Sequence, residues 1–151
     1  MKIILALLSI GVCLAFSSCA TSSMIPKSAS EVNFGAGKEG KNGWSSYREN
    51  ATFRGATVAK VIESAKAGLG DAGFALKRVD LNEGVVIGEH GVTWHDWNVI
   101  AGVYIKQSGS DVLVTVFVEG SKDLGVSGDV TGDGWSGKIL KGMREYLKIS
   151  K

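Results

Sequence analysis

The sequence predicts an α+β domain: a mainly antiparallel sheet of about four to five strands with two helices packed on one face. Two segments, at residues 58–69 and 135–147, repeat apolar side chains at the spacing of an amphipathic helix. Between them lie strand-length apolar runs separated by short glycine-containing turns, which favour hairpins and therefore antiparallel pairing. The predicted element order is β-α-β-β-β-β-α.

Thr57 is the predicted N-cap of the first helix, because its hydroxyl suits the free backbone N–H groups of a first turn. Gly68, Gly70 and Gly73 are predicted to end this helix. The apolar stripe between cap and glycines consists of Val58, Val61, Ile62, Ala65 and Leu69. The stripe of the last helix consists of Trp135, Ile139, Met143, Tyr146 and Leu147.

Five strands are predicted from β-branched and aromatic residues. A short strand at 51–54 precedes the first helix, and the others occupy residues 74–81, 85–89, 98–107 and 112–119. Turns at 82–84 and 108–111 join the second to the third strand and the fourth to the fifth. Since both faces of the segment 112–119 are partly apolar, it is predicted to lie centrally in the sheet.

Composition restricts the class of protein. The chain has 151 residues, which suits one domain, and 17 basic against 15 acidic residues give a formal charge of +2. A nucleic-acid-binding protein would show a basic face and a high domain pI, so nucleic acid is not a predicted partner. Such a small net charge also argues against a strong electrostatic grip on anionic lipid.

The first 18 residues have the layout of an export signal. Met1 and Lys2 form a basic start, residues 3–16 are almost wholly apolar, and Ser17 and Ser18 close the run with small side chains. About 20 residues are needed to span a bilayer, so this shorter run predicts a removable signal and not a permanent anchor.

The segment 14–19, Leu-Ala-Phe-Ser-Ser-Cys, resembles the bacterial lipobox. The resemblance implies cleavage before Cys19, a diacylglycerol on its sulfur and an acyl chain such as palmitate on its new amino group. Cys13 is a rival position, but Val12 fits poorly before it. Ala20 follows the cysteine, and in a Gram-negative cell this pattern implies the periplasmic face of the outer membrane.

The chain is therefore divided into a lipoprotein signal peptide at 1–18, the lipidated Cys19 with a flexible tether to residue 49, and a globular domain at 50–151. The tether is rich in Ser, Gly, Lys and Asn. Val32, Phe34 and Trp44 are exceptions that could dock weakly on the domain. In element order alone, residues 52–147 resemble the helix-grip-like modules of outer-membrane assembly lipoproteins, which implies a fold and no site.

One loop collects residues able to do chemistry. Glu89, His90, His95 and Asp96 supply imidazole and carboxylate groups, which are competent metal ligands or acid–base groups. If Glu89 and His90 end a strand, however, their side chains point to opposite faces. Trp94 and Trp97 in the same loop are candidate partner-binding residues, since tryptophan is enriched at binding surfaces.

Two glycine-rich segments match ligand-binding loops only in part. Residues 35–42 approach the P-loop pattern, but Asn42 replaces the required Ser or Thr. Residues 129–134 begin like a calcium loop, but Leu140 stands where a bidentate Glu is required. A flexible linker and a glycine turn are the simpler interpretations.

The sequence thus predicts a membrane-anchored lipoprotein of the bacterial cell envelope, a non-enzymatic binding or assembly module without a cofactor. Its predicted partners are the lipid bilayer, through acylated Cys19, and another envelope protein. The alternative is a periplasm-facing metal-binding protein or hydrolase that uses Glu89, His90, His95 and Asp96.

Overall fold

The computed structural model describes residues 21–36, 39–40, 46–91, 98–120 and 134–149. They form an antiparallel sheet with strands in the order β1-β2-β6-β5-β4-β3. The strands are β1 (Glu39–Gly40), β2 (Ser46–Arg54), β3 (Ala75–Asp80), β4 (Val85–His90), β5 (Val99–Ser108) and β6 (Asp111–Gly120). The helices are α1 (Val58–Asp71) and α2 (Trp135–Ile149), and Ser22–Met24 and Ala29–Glu31 form 3-10 turns. The predicted α+β fold is confirmed.

Strands β3 to β6 form a meander, in which each strand pairs with the next one along the chain. Strand β2 pairs with the outer side of β6. Gly84 and Gly109 adopt positive φ angles of 61° and 60° in the turns that join β3 to β4 and β5 to β6. Strand β2 begins at Ser46, five residues before the predicted start. It pairs with β6 along its whole length, from Ser46 opposite Glu119 to Arg54 opposite Asp111, and this long partner explains its extension into a polar sequence.

Helix α1 begins as predicted and ends later than predicted. The backbone N–H of Lys60 donates to the Thr57 hydroxyl at 3.3 Å, so the N-cap is confirmed. The helix runs through Gly68 and Gly70 to Asp71, and the left-handed residue is Gly73, at φ 86°. Gly68 serves helix packing: a Cβ there would lie 2.4 Å from the Ile139 carbonyl oxygen of α2.

Both helices lie on one face of the sheet, which we call the helix face. Their apolar stripes pack on alternate residues of the strands, including Val103 of β5 and Val116 of β6. Val61 and Ile139, one from each helix, are fully buried. Most of the apolar area removed from water is on this side, so the helix face supplies the main hydrophobic contribution to folding.

The opposite face of the sheet, the outer face, carries a smaller apolar cluster that the segment 21–36 covers. The buried members of this cluster are Ile25, Val85, Ile87, Ile100 and Tyr104. Val32 and Phe34 pack against it, in line with the expectation that they could dock, but Ile25, only 4% exposed, was not anticipated. Over residues 21–36 the structure therefore shows a packed cover and not a loose tether, whereas the division of the chain into three parts stays a prediction.

Candidate functional site

Long-range hydrogen bonds fix the cover 21–36 to the sheet. The Tyr104 hydroxyl donates to the Pro26 carbonyl oxygen at 2.6 Å, and the Arg78 guanidinium donates to the Lys27 carbonyl oxygen at 3.1 Å. The backbone N–H of Ala29 donates to the Glu83 carbonyl oxygen at 2.8 Å. These bonds attach the cover to the edge strand β3, to the turn that follows it and to β5.

The far end of the cover is fixed by a side chain of β2. The Asn50 amide donates to the carbonyl oxygens of Phe34 and Ala36, and its own oxygen accepts from the buried Thr115 hydroxyl at 2.8 Å. Since the amide uses both its donor and its acceptor atoms, its orientation is determined by these partners. The cover is thus held at both ends by polar groups of the sheet.

Between the start of the cover and the edge of the sheet lies a cavity of about 370 Å³. Its lining residues are Ser22, Ser23, Lys27, Lys77, Arg78 and Ile87. The described lining offers hydroxyl, ammonium and guanidinium donors around one apolar side chain. Such a set can hold a small polar or anionic group by hydrogen bonds.

Neighbouring carboxylates neutralise two of the cations at this cavity. Arg78 bonds Asp80 at 2.6 Å, and Lys77 bonds Glu89 at 3.1 Å. The hydrogen bond from Arg78, followed by that from the backbone of Glu83, lowers the pKa of Asp80 below its ordinary value. The hydrogen bond from Lys77 lowers the pKa of Glu89 more than burial raises it, and a bond from Asn98 adds to the lowering.

The structure does not bring Glu89 and His90 together. Strand β4 alternates its side chains, so Glu89 lies on the outer face with Lys77 and Asn98, and His90 lies on the helix face. His95 and Asp96 lie outside the described residues. Across the described part of the chain, no group of three or more His, Cys, Asp or Glu side chains is arranged to hold a metal ion.

His90 belongs to an aromatic cluster at the end of the helix face. Its ring centroid lies 4.5 Å from that of Trp135 and 5.7 Å from that of Phe74, and Phe74 and Trp135 meet edge to face at 5.3 Å. The Nδ1 atom of His90 is buried without a hydrogen-bond partner among the described residues. This environment is that of a packed side chain closing one end of the core.

The other predicted site residues, Cys19, Trp94 and Trp97, lie outside the described residues. Sequence reasoning missed the basic set Lys27, Lys77 and Arg78, because Lys27 is 50 residues from Lys77 and the three meet only through the cover. The sequence did contain one signal for the cover: apolar residues, above all Ile25, stand within an otherwise polar segment. Within the residues the structure describes, no helix is long and apolar enough to cross a bilayer.

Comparison with known proteins identifies no family: neither the family models nor the curated proteins contain a match. Among solved structures, the chain is similar to Ara h 8.0201, at 15% identity and a TM-score of 0.40, over 70% of this chain and 98% of that one. It is also similar to TTHA0849 from Thermus thermophilus, at 12% identity and a TM-score of 0.41, over 70% and 99%. Similarity at this level carries no information about ligand or activity.

Proposed function

We propose that this chain is a bacterial envelope lipoprotein that is exported, cut before Cys19 and anchored by acyl chains on that cysteine. The observation that carries the proposal is the basic start, the short apolar run and the two serines that lead directly into Cys19. In a Gram-negative cell we place it on the periplasmic face of the outer membrane. One acyl chain holds a protein only marginally, whereas the several chains of a lipoprotein hold it stably.

We propose a binding or assembly role for the folded part, and not catalysis. The cavity beside β3 is lined, among the described residues, by hydroxyl and cationic groups, with no carboxylate or imidazole to act as a general base. Glu89 and His90 lie on opposite faces, which gives no support to the metal-binding or hydrolytic alternative.

Mass spectrometry of the N-terminus tests the anchor. After expression in a bacterial host, we expect the purified protein to start at Cys19 with the added mass of a diacylglycerol and an N-acyl chain. Cys19→Ala should carry no acyl mass. Cys13→Ala is the matched control, and it should be acylated like the parent. An unacylated parent, or an acylated Cys19→Ala variant, would contradict the proposal.

Site-specific crosslinking in membranes tests the binding role. We expect a photoreactive residue in place of Trp94 or Trp97 to capture one envelope protein, since aromatic residues are enriched at binding surfaces. The same probe at Tyr146, an exposed aromatic residue of α2, is the control and should capture little. Equal capture from all three positions would remove Trp94 and Trp97 as partner contacts.

A further inference from the structure

Exposed large apolar side chains concentrate at one edge of the sheet. Over the described residues they are Met24 at 39%, Leu76 at 44%, Val79 at 43%, Leu81 at 67% and Tyr146 at 36% exposed. Four of these five belong to the 3-10 turn Ser22–Met24, to β3 or to the turn after it. We call Met24, Leu76, Val79 and Leu81 the β3 edge. A concentration of this kind marks an interaction surface better than single exposed apolar residues do.

The covalent chain places the anchor beside this edge. Cys19 precedes Thr21 by two residues, and two residues span at most about 7 Å. Ser22 and Ser23 already share a cavity with Lys77 and Arg78 of β3, and Ile25 is buried. Because Ser22 lies at this cavity and Cys19 precedes it by three residues, an acylated Cys19 would lie within about 11 Å of the cavity, on the β3 side of the sheet.

Cationic side chains accompany the apolar ones. Lys27, Lys77 and Arg78 line the cavity at this edge, and long basic side chains at a membrane surface keep their stems in the apolar layer and their charges at the headgroups. Asp80 and Glu89 neutralise Arg78 and Lys77, so the attraction is not chiefly electrostatic. Apolar contact with hydrogen bonding to headgroups fits this surface better than charge attraction alone.

We propose that, in the lipidated protein, the β3 edge lies in the interfacial layer of the phospholipid bilayer, with Met24 and Leu81 in contact with lipid. The proposal rests on the anchor at Cys19 and adds the orientation of the domain. The outer-face cavity would then open at the headgroup level. The opposite side of the sheet, where β1 and β2 lie, would face away from the membrane.

Lipid quenching of a single fluorescent probe tests this orientation in the full lipidated protein. Acylation blocks Cys19 and processing removes Cys13, so a new cysteine can be labelled selectively. Leu81→Cys reports the β3 edge. Thr52→Cys, exposed on β2, is the matched control, and since strands lie about 4.8 Å apart it is four spacings, or about 19 Å, from β3. The vesicles contain phosphatidylethanolamine, phosphatidylglycerol and a spin-labelled lipid.

We expect the quencher to reduce the fluorescence of the Leu81→Cys probe several-fold more than that of the Thr52→Cys probe. Equal quenching in a sample whose Cys19 is acylated would overturn the orientation and leave the anchor standing. Absence of acyl mass on Cys19 would overturn both. Self-quenching at Leu81→Cys that rises with protein density but not with spin-labelled lipid would assign the edge to a second copy of the chain and overturn contact with lipid.

Discussion

The two faces of the sheet are covered by different means. The helix face is closed by two helices whose buried stripes interlock with four strands, and Val61, Leu69 and Ile139 there are wholly buried. The outer face is closed by the cover 21–36, in which Ile25 is the one large apolar residue that is buried. Val32 and Phe34 pack partly buried against this face. Hydrogen bonds to Pro26, Lys27, Ala29, Phe34 and Ala36 supply the rest of the attachment of the cover.

This difference teaches which part of the molecule can open separately. Regions with few buried apolar contacts open at lower free energy than the whole domain. The sheet and helices do not need the cover to complete their own hydrogen-bond ladder, whereas the cover needs the sheet. We therefore expect the outer face to expose its apolar cluster by release of residues 21–36 while the helix face stays folded.

The same substitution on the two faces gives the largest expected contrast. Ile139→Ala should lower the free energy of unfolding by about 4 kcal/mol, since a fully buried side chain leaves a cavity between α1 and α2. Ile25→Ala should lower it by about 1.5 kcal/mol, because the loss cannot exceed the free energy that docks the cover. Urea denaturation measures both values.

Hydrogen exchange distinguishes local release of the cover from unfolding of the whole domain. In Ile25→Ala, amide exchange should speed up in residues 21–36 alone, and in Ile139→Ala it should speed up throughout the domain. If the two variants lose equal stability and exchange speeds up uniformly in both, the cover is part of the same cooperative unit as the helices and the contrast is wrong.

A pair of glycines in α1 tests how closely the helix face is packed. A Cβ at Gly68 would lie 2.4 Å from the Ile139 carbonyl oxygen, and one at Gly70 would meet nothing within 4 Å. Gly68→Ala should therefore lower the free energy of unfolding by about 2 kcal/mol, because the two helices must move apart. Gly70→Ala, the control, should raise the free energy of unfolding by up to about 1 kcal/mol, because alanine has the higher helix propensity. Thermal unfolding of both variants measures these changes. If Gly68→Ala left the stability unchanged, the close contact between the helices would be refuted.

The helix face could be predicted from the sequence because its pattern is periodic. Stripes at helical spacing located α1 and α2, and β-branched runs between glycine turns located β3 to β6 to within a residue or two. Gly68 was misjudged, because the same residue type ends helices and allows helices to touch. Only the packing partner Ile139 distinguishes the two roles.

The cover and the cavity could not be predicted in the same way. Ile25, Val32 and Phe34 follow no period. The side chains of the sheet that bind the cover donate to its backbone carbonyl oxygens, which any residue has. The alternation of Glu89 and His90 was foreseen from strand geometry. The pair Lys77–Glu89 was not, because it depends on the register shift of β3 between Leu76 and Arg78.

Removing one hydroxyl tests whether hydrogen bonds hold the cover. Tyr104→Phe should cost about 1 kcal/mol near neutral pH, because the Pro26 carbonyl oxygen loses its donor. It should also alter the response to alkali. Burial, aided by the charge of Glu31, raises the pKa of Tyr104 above the ordinary value of 10.0. The folded state therefore keeps the proton that the unfolded chain releases above that value.

Because only the unfolded chain loses this proton just above pH 10, alkali favours unfolding. The contribution of Tyr104 is fully present below pH 10 and is lost as the pH rises above it, by up to about 1.4 kcal/mol per pH unit. Tyr104→Phe lacks this loss, so its deficit at about pH 8 should shrink and then reverse at about pH 11. Denaturant titrations of both proteins at the two pH values provide the measurement. Parallel pH profiles would show that the pKa of Tyr104 is the same in the folded and unfolded states, and would contradict the expectation.

The smallest effect is expected from the charge pair on the outer face. Lys77 and Glu89 are 53% and 34% exposed, and solvent screening limits such a pair to about 0.5 kcal/mol. Lys77→Ala should therefore barely change stability. It should still raise the pKa of Glu89 toward its ordinary value, since the hydrogen bond from Lys77 is the largest cause of its lowering.

Carboxyl-carbon NMR titration measures that pKa, with Lys60→Ala on α1 as the control that should leave Glu89 unchanged. A lowered pKa contributes stability above the ordinary value that is lost as the pH falls through the folded-state value. If Lys77→Ala destabilised the protein as much as Ile25→Ala, ion pairing would hold the outer face together. The expected result, a shifted pKa with almost unchanged stability, leaves apolar contact and carbonyl hydrogen bonds as the forces that keep the cover in place.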